Sequence, residues 1–154
     1  MSRGILAGAA MGAVFFVIPA VVLTGSLAWL GLRLWRGEPN GSLHRRTIVA
    51  LRVARDPLQL ALLLMFAGAV LAGFVAGDLG PTTYLDVAGS TLVFVVESLT
   101  DWSDATTSES IALRGFGFIV VGSSATVAWS LWRYFNNRWQ DADQALRRDR
   151  LGSR

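Results

Sequence analysis

The sequence predicts an all-α integral membrane protein. Three transmembrane helices are expected, with a short interfacial or re-entrant helix in the outer loop between the second and third. Three observations carry that prediction. Apolar residues make up 53% of the 154 and charged residues only 16%, against about 25% charged in soluble domains. Three long stretches carry no charge at all. The charges that remain are segregated by sign along the chain.

The first span is placed at about residues 4–34, because Arg3 and Arg33 bracket 29 uncharged residues. A helix of that length covers roughly 43 Å, more than the ~30 Å of hydrocarbon, so it must tilt, kink or protrude. Pro19 is the expected kink point, since it lacks a backbone donor and clashes with the preceding turn. A cleaved signal peptide is the rival reading. The apolar run is too long for one, and no Ala-x-Ala site follows it.

The second span is placed at 57–77. Asp56 reads as its N-cap, Pro57 as its first residue and Gln59 as the partner of a capping-box spacing. Gly77-Asp78 and Gly80-Pro81 close it. The third span, at 114–135, fits between Arg114 and Arg133 if both arginines reach for the interface. Leu85 to Leu99 is too short to cross and carries Glu97. Leu92, Val95, Val96 and Leu99 share one helical face, which gives the interfacial or re-entrant helix.

Charge orients these spans as one membrane domain. The segment from Arg33 to Asp56 has six Arg against Glu38 and Asp56. The segment from Gly77 to Leu113 has Asp78, Asp86, Glu97, Asp101, Asp104 and Glu109, and no basic residue. The tail after Arg133 has six Arg, counting Arg133 itself, and three Asp. Cytoplasmic loops carry the basic excess. The loop 35–56 and the tail 136–154 are therefore expected inside, and the acidic loop 78–113 outside. That puts the N-terminus outside and the C-terminus inside a prokaryotic cell membrane or a virion membrane. Trp29, Trp35, Trp129, Trp132 and Tyr134 fall near the inner ends, where aromatic belts mark the interface.

Chemistry is scarce. There is no Cys, so thiolate metal sites and Cys nucleophiles are excluded. The single His44 stands beside Arg45 and Arg46 rather than in a spaced ligand set. Asp101-Trp102-Ser103-Asp104 lacks the ligand count of a calcium loop. No ionisable residue lies within the spans, where pumps and proton relays place them. No catalytic residue, metal or cofactor is expected.

What remains is packing and charge. Gly4, Gly8 and Gly12 form a small-residue stripe that lets helices approach closely in lipid. Ala69, Gly73 and Gly77 repeat the pattern, and Gly122 and Ser123 begin a small patch that continues to Ser124 and Thr126. Arg45, Arg46, Arg52 and Arg55 punctuate an apolar stretch and suit contact with anionic headgroups, as do Arg147 and Arg148. The expectation is a non-enzymatic membrane subunit that packs into a larger assembly, with lipids and other subunits as partners. A small homo-oligomeric channel and a structural membrane protein of a lipid-containing virion are the alternatives. Nucleic acid is the least favoured partner for the arginines.

Overall fold

The structure is a computed structural model that describes residues 7–8, 10–37, 42–77, 81–100 and 108–152. All its elements are helical: a π-helical turn Ala13–Val17, α1 Ile18–Trp35, α2 Leu43–Ala76, α3 Pro81–Thr100 and α4 Ser108–Gly152. Three helices are long and apolar enough to cross a membrane, within Ala10–Trp35, Leu43–Val75 and Arg114–Gly152.

The kink expected at Pro19 takes a specific form. Pro19 has no N–H to offer the carbonyl four residues back, that of Phe15. The helix widens there into the π-turn, and the Ile18 N–H reaches Ala13 O instead. Such π-bulges are a recognised source of helix irregularity. α2 approaches closely at this point. A Cβ on Gly68 would lie 2.9 Å from Phe15 Cβ and 3.2 Å from the Phe15 carbonyl oxygen. Only glycine lets α2 close over the loosened turn.

The start of the second span is a correction. α2 begins at Leu43, where Ser42 caps it by accepting a hydrogen bond from the Arg45 N–H at 3.3 Å. Asp56 and Pro57 therefore sit inside a 34-residue helix rather than at its N-terminus. Helix thus occupies residues 43–56 of the loop expected over 35–56. The reason is tertiary. Val49, Ala50, Val53 and Ala54 form a stripe at helical spacing that is fully covered by other helices. That burial offsets the ~3 kcal/mol cost of an interior proline. The far end agrees with the sequence: Gly77 terminates α2 in the left-handed conformation, φ 71°.

α4 extends well past the apolar run. It runs 45 residues from Ser108 to Gly152, so residues 136–152 of the basic tail are helical. α3 is also longer than expected, 20 residues from Pro81. It rests on the other helices through Tyr84 against Phe16 (ring centroids 5.1 Å apart) and Phe94 against Phe116 (6.3 Å).

The contacts fix the topology. Trp29 stacks on Phe135, Arg33 bonds Asn136, and Arg45 pairs with Asp143. The C-terminal ends of α1 and α4 thus meet the N-terminal half of α2. This end gathers the arginines and is the basic end. The opposite end carries α3 with Asp86 and Glu97 and is the acidic end.

Candidate functional site

Two surfaces are candidates, the small-residue faces and the basic end. Gly12 is buried, and a Cβ there would meet Thr91 Cγ2 at 2.7 Å and Oγ1 at 2.9 Å. Its place in the stripe is filled by α3 of the same chain. Gly8 is exposed with nothing within 4 Å of a built Cβ. Gly4 lies outside the described residues, as does the Asp101–Asp104 stretch.

On α2 the sequence-derived stripe divides. Gly73 is buried and Ala69 half-buried, whereas Gly77 is the exposed helix cap. The buried small residues of this helix are Ala50, Ala54, Ala61, Gly68, Ala72 and Gly73. They lie on the stripe that faces α1 and α4. From Ala50 to Ala72 the spacing of four or seven residues is a usable signal, masked by the more familiar glycine pattern one residue away.

Gly122 and Ser123 on α4 are exposed, and no neighbour approaches Gly122. The Ser123 hydroxyl bonds Val120 O at 3.0 Å, and that of Thr126 bonds Gly122 O at 2.8 Å. Both hydroxyls are satisfied by their own helix. Across the most apolar stretch of each long helix, only 22%, 22% and 11% of residues are buried. Leu62, Leu63, Phe66, Phe74, Ile119 and Trp129 all face outward.

The basic end is built differently. Its core is Trp29, Val49, Ala50, Val53, Ala54 and Phe135. Trp29 stacks on Phe135 at 4.5 Å and meets Trp139 edge-on at 5.6 Å. The Arg33 guanidinium lies over both Trp29 and Trp139, 5.8 and 5.4 Å from the ring centroids. It also donates to Asn136 Oδ1 at 2.6 Å.

The six predicted anion-contact arginines fall into separate groups. Arg45 and Arg147 converge on Asp143, at 2.8 and 2.9 Å. The Arg45 pair holds α2 to α4, and the Arg147 pair, four residues along the same helix, steadies Asp143. Arg46 folds against Gly37, whose missing side chain makes room for the guanidinium. Arg148 is exposed on α4.

Arg52 and Arg55 are also exposed, and they share an open cleft of about 330 Å³ with Val53, Asp56, Tyr134, Arg138, Asp141 and Ala142. The Tyr134 hydroxyl stands 3.5 Å from Asp56 Oδ2, and Arg138 lies over the Tyr134 ring at 5.7 Å. Hydrogen bonding with Tyr134, then charge interactions with Tyr134, Asp56 and Asp141, push the Arg138 guanidinium above its ordinary range. Arg138 was not singled out from the sequence. It reaches the cleft only because the tail is helical and docks on α2.

No group of three or more His, Cys, Asp or Glu able to hold a metal occurs among the described residues. No protein-family model, curated protein or solved structure matches this chain, so what the site can do is read from its own residues.

Proposed function

We propose that this chain is a non-enzymatic membrane subunit that packs laterally into a larger assembly. One observation carries the reading. After the helices have packed on one another, small-residue surfaces at Gly8 and Gly122 remain open within helices that are mostly uncovered. Small residues are what helix association in lipid requires. Bulky apolar groups beside them suit lipid. In this reading the apolar halves of α1, α2 and α4 cross the bilayer three times. The basic end lies inside and the acidic end outside, following the charge rule. The exposed Trp35, Trp129 and Trp132 lie where an inner interfacial belt belongs. α3 then rests on the outer half as an interfacial or re-entrant helix.

The test is gentle extraction from the native membrane, followed by measurement of the mass and composition of the complex. Distinct polypeptides at fixed ratio are expected. Gly122→Leu and Gly8→Leu should shed them while leaving the chain folded. If both variants keep the assembly mass unchanged, the packing reading fails. A lone homo-oligomer that passes ions in liposomes would replace it with a channel. Orientation has its own check, because the chain has no Cys. Ser42→Cys and Ser108→Cys should label from opposite sides of the membrane.

A further inference from the structure

The arginine cleft between α2 and α4 is the feature that packing does not explain. Arg45 and Arg147 are tied to Asp143. Arg52, Arg55 and Arg138 make no ion pair among the described residues, yet they border one cleft from two helices. Two carboxylates, Asp56 and Asp141, line it too. The balance is one net positive charge over three guanidinium groups and two acids. The volume of about 330 Å³ lies at the small end of the ~300–1,000 Å³ typical of ligand clefts.

Its height in the fold narrows the ligand. Arg55 and Asp56 directly precede Pro57, where the apolar half of α2 begins. Tyr134 follows Trp132 and Arg133, where the apolar half of α4 ends. On the membrane reading, on which this inference rests, the cleft opens at the level of lipid headgroups. Guanidinium forks match phosphate oxygens two at a time. The Tyr134 hydroxyl, which donates to Asp56 at a long 3.5 Å, can turn its proton to a glycerol or a phosphate oxygen instead.

We propose that this cleft is a specific site for one anionic phospholipid, whose headgroup phosphate is held by Arg52, Arg55 and Arg138. Asp56 and Asp141 flank the phosphate position and select for headgroups that carry a hydroxyl or amine beside it. The apolar faces of α2 and α4 immediately above the cleft receive the acyl chains.

The experiment is native mass spectrometry of the intact chain in detergent, titrated with phosphatidylglycerol and separately with phosphatidylcholine. One phosphatidylglycerol per chain should be retained in preference to phosphatidylcholine. Each arginine near an anionic headgroup contributes roughly a fivefold factor, so the Arg52→Gln/Arg55→Gln/Arg138→Gln variant should bind on the order of a hundredfold more weakly. Arg36→Gln, which removes an exposed charge outside the cleft lining, should bind as the parent does. Circular dichroism spectra and size-exclusion profiles matching the parent keep the comparison between folded proteins. Equal retention by the triple variant, or an equal loss in Arg36→Gln, would overturn the site. Displacement of the lipid by millimolar inorganic phosphate would assign the cleft to a free anion instead. These outcomes are separate from failure of the membrane reading, which would appear as a chain that stays dispersed without detergent.

Discussion

The two ends of the bundle are held together by different means. At the basic end, large side chains interlock: Trp29, Phe135 and Trp139 pack around small residues of α2, and Arg33, Arg45 and Asp143 bridge helices. At the acidic end, backbones approach over missing side chains: Gly68 against Phe15, and Gly12 against Thr91. The first solution suits water. Burying aromatic surface is driven by the hydrophobic effect, which operates only where water is displaced. The second suits lipid, where apolar side chains gain little by leaving the solvent and close packing is what remains. The switch falls where α2 passes from Arg55 to Leu58.

Removing an aromatic from the interlocked end should have the largest effect. Phe135→Ala empties a site that is 1% exposed and should cost about 3–5 kcal/mol, read as a lower midpoint of unfolding in detergent. A loss below ~1 kcal/mol would show that the basic end is not the stable half.

The complementary break is Gly68→Leu. It forces a side chain into the Phe15 backbone rather than a flexible tip, and overpacking of this kind costs about 1–3 kcal/mol. Gly122→Leu, with open space around it, should leave the isolated chain within about 0.5 kcal/mol of the parent. The two glycine variants together separate internal packing from outward packing. Equal destabilisation by both would erase that distinction.

Asp143→Asn tests the ionic part of the basic end. It removes the charged partner of both Arg45 and Arg147, beside an Arg45 Nε that is already buried without a hydrogen-bond partner. Because the Asp143 side chain is 26% exposed, solvent screening limits the expected loss to about 1 kcal/mol. The effect should shrink as salt is raised. Unfolding midpoints of parent and variant across a sodium chloride series provide the check.

The parts of the fold legible in the sequence are those set locally. Three uncharged runs gave the three long helices, Pro19 marked the irregular turn, and Gly77 marked a helix end. Asp56-Pro57 misled for an equally local reason. Cap, proline and Gln59 have the spacing of a helix start, but the stripe from Val49 to Ala54 finds cover only in three dimensions. The same gap hid the tail. Trp139, Ala142 and Leu146 have helical spacing, but the stripe is weak without the α2 surface that covers it. The glycine stripes show the limit of spacing as a guide. Gly68–Ala72 and Ala69–Gly73 have the same period and differ by one residue in phase. Phase is decided by the partner helix. Among the arginines, the sequence marked Arg52 and Arg55 but not Arg138, because the cleft is assembled across 82 positions of chain separating Asp56 from Arg138.

α2 and α4 cross from the apolar region into the basic end without a break. On the proposed membrane reading, each is a lever with its fulcrum near the membrane surface. Beyond Arg133, α4 continues to Gly152, a rigid arm of roughly 28 Å at 1.5 Å per residue. A ~10° change in the tilt of its apolar half would swing the far tip by about 5 Å. Because the Arg45–Asp143 pair binds that arm to α2 and the Trp29–Phe135 stack binds it to α1, the displacement is shared among the helices. Changes in bilayer thickness would thus be converted into movement of the arginine-lined end.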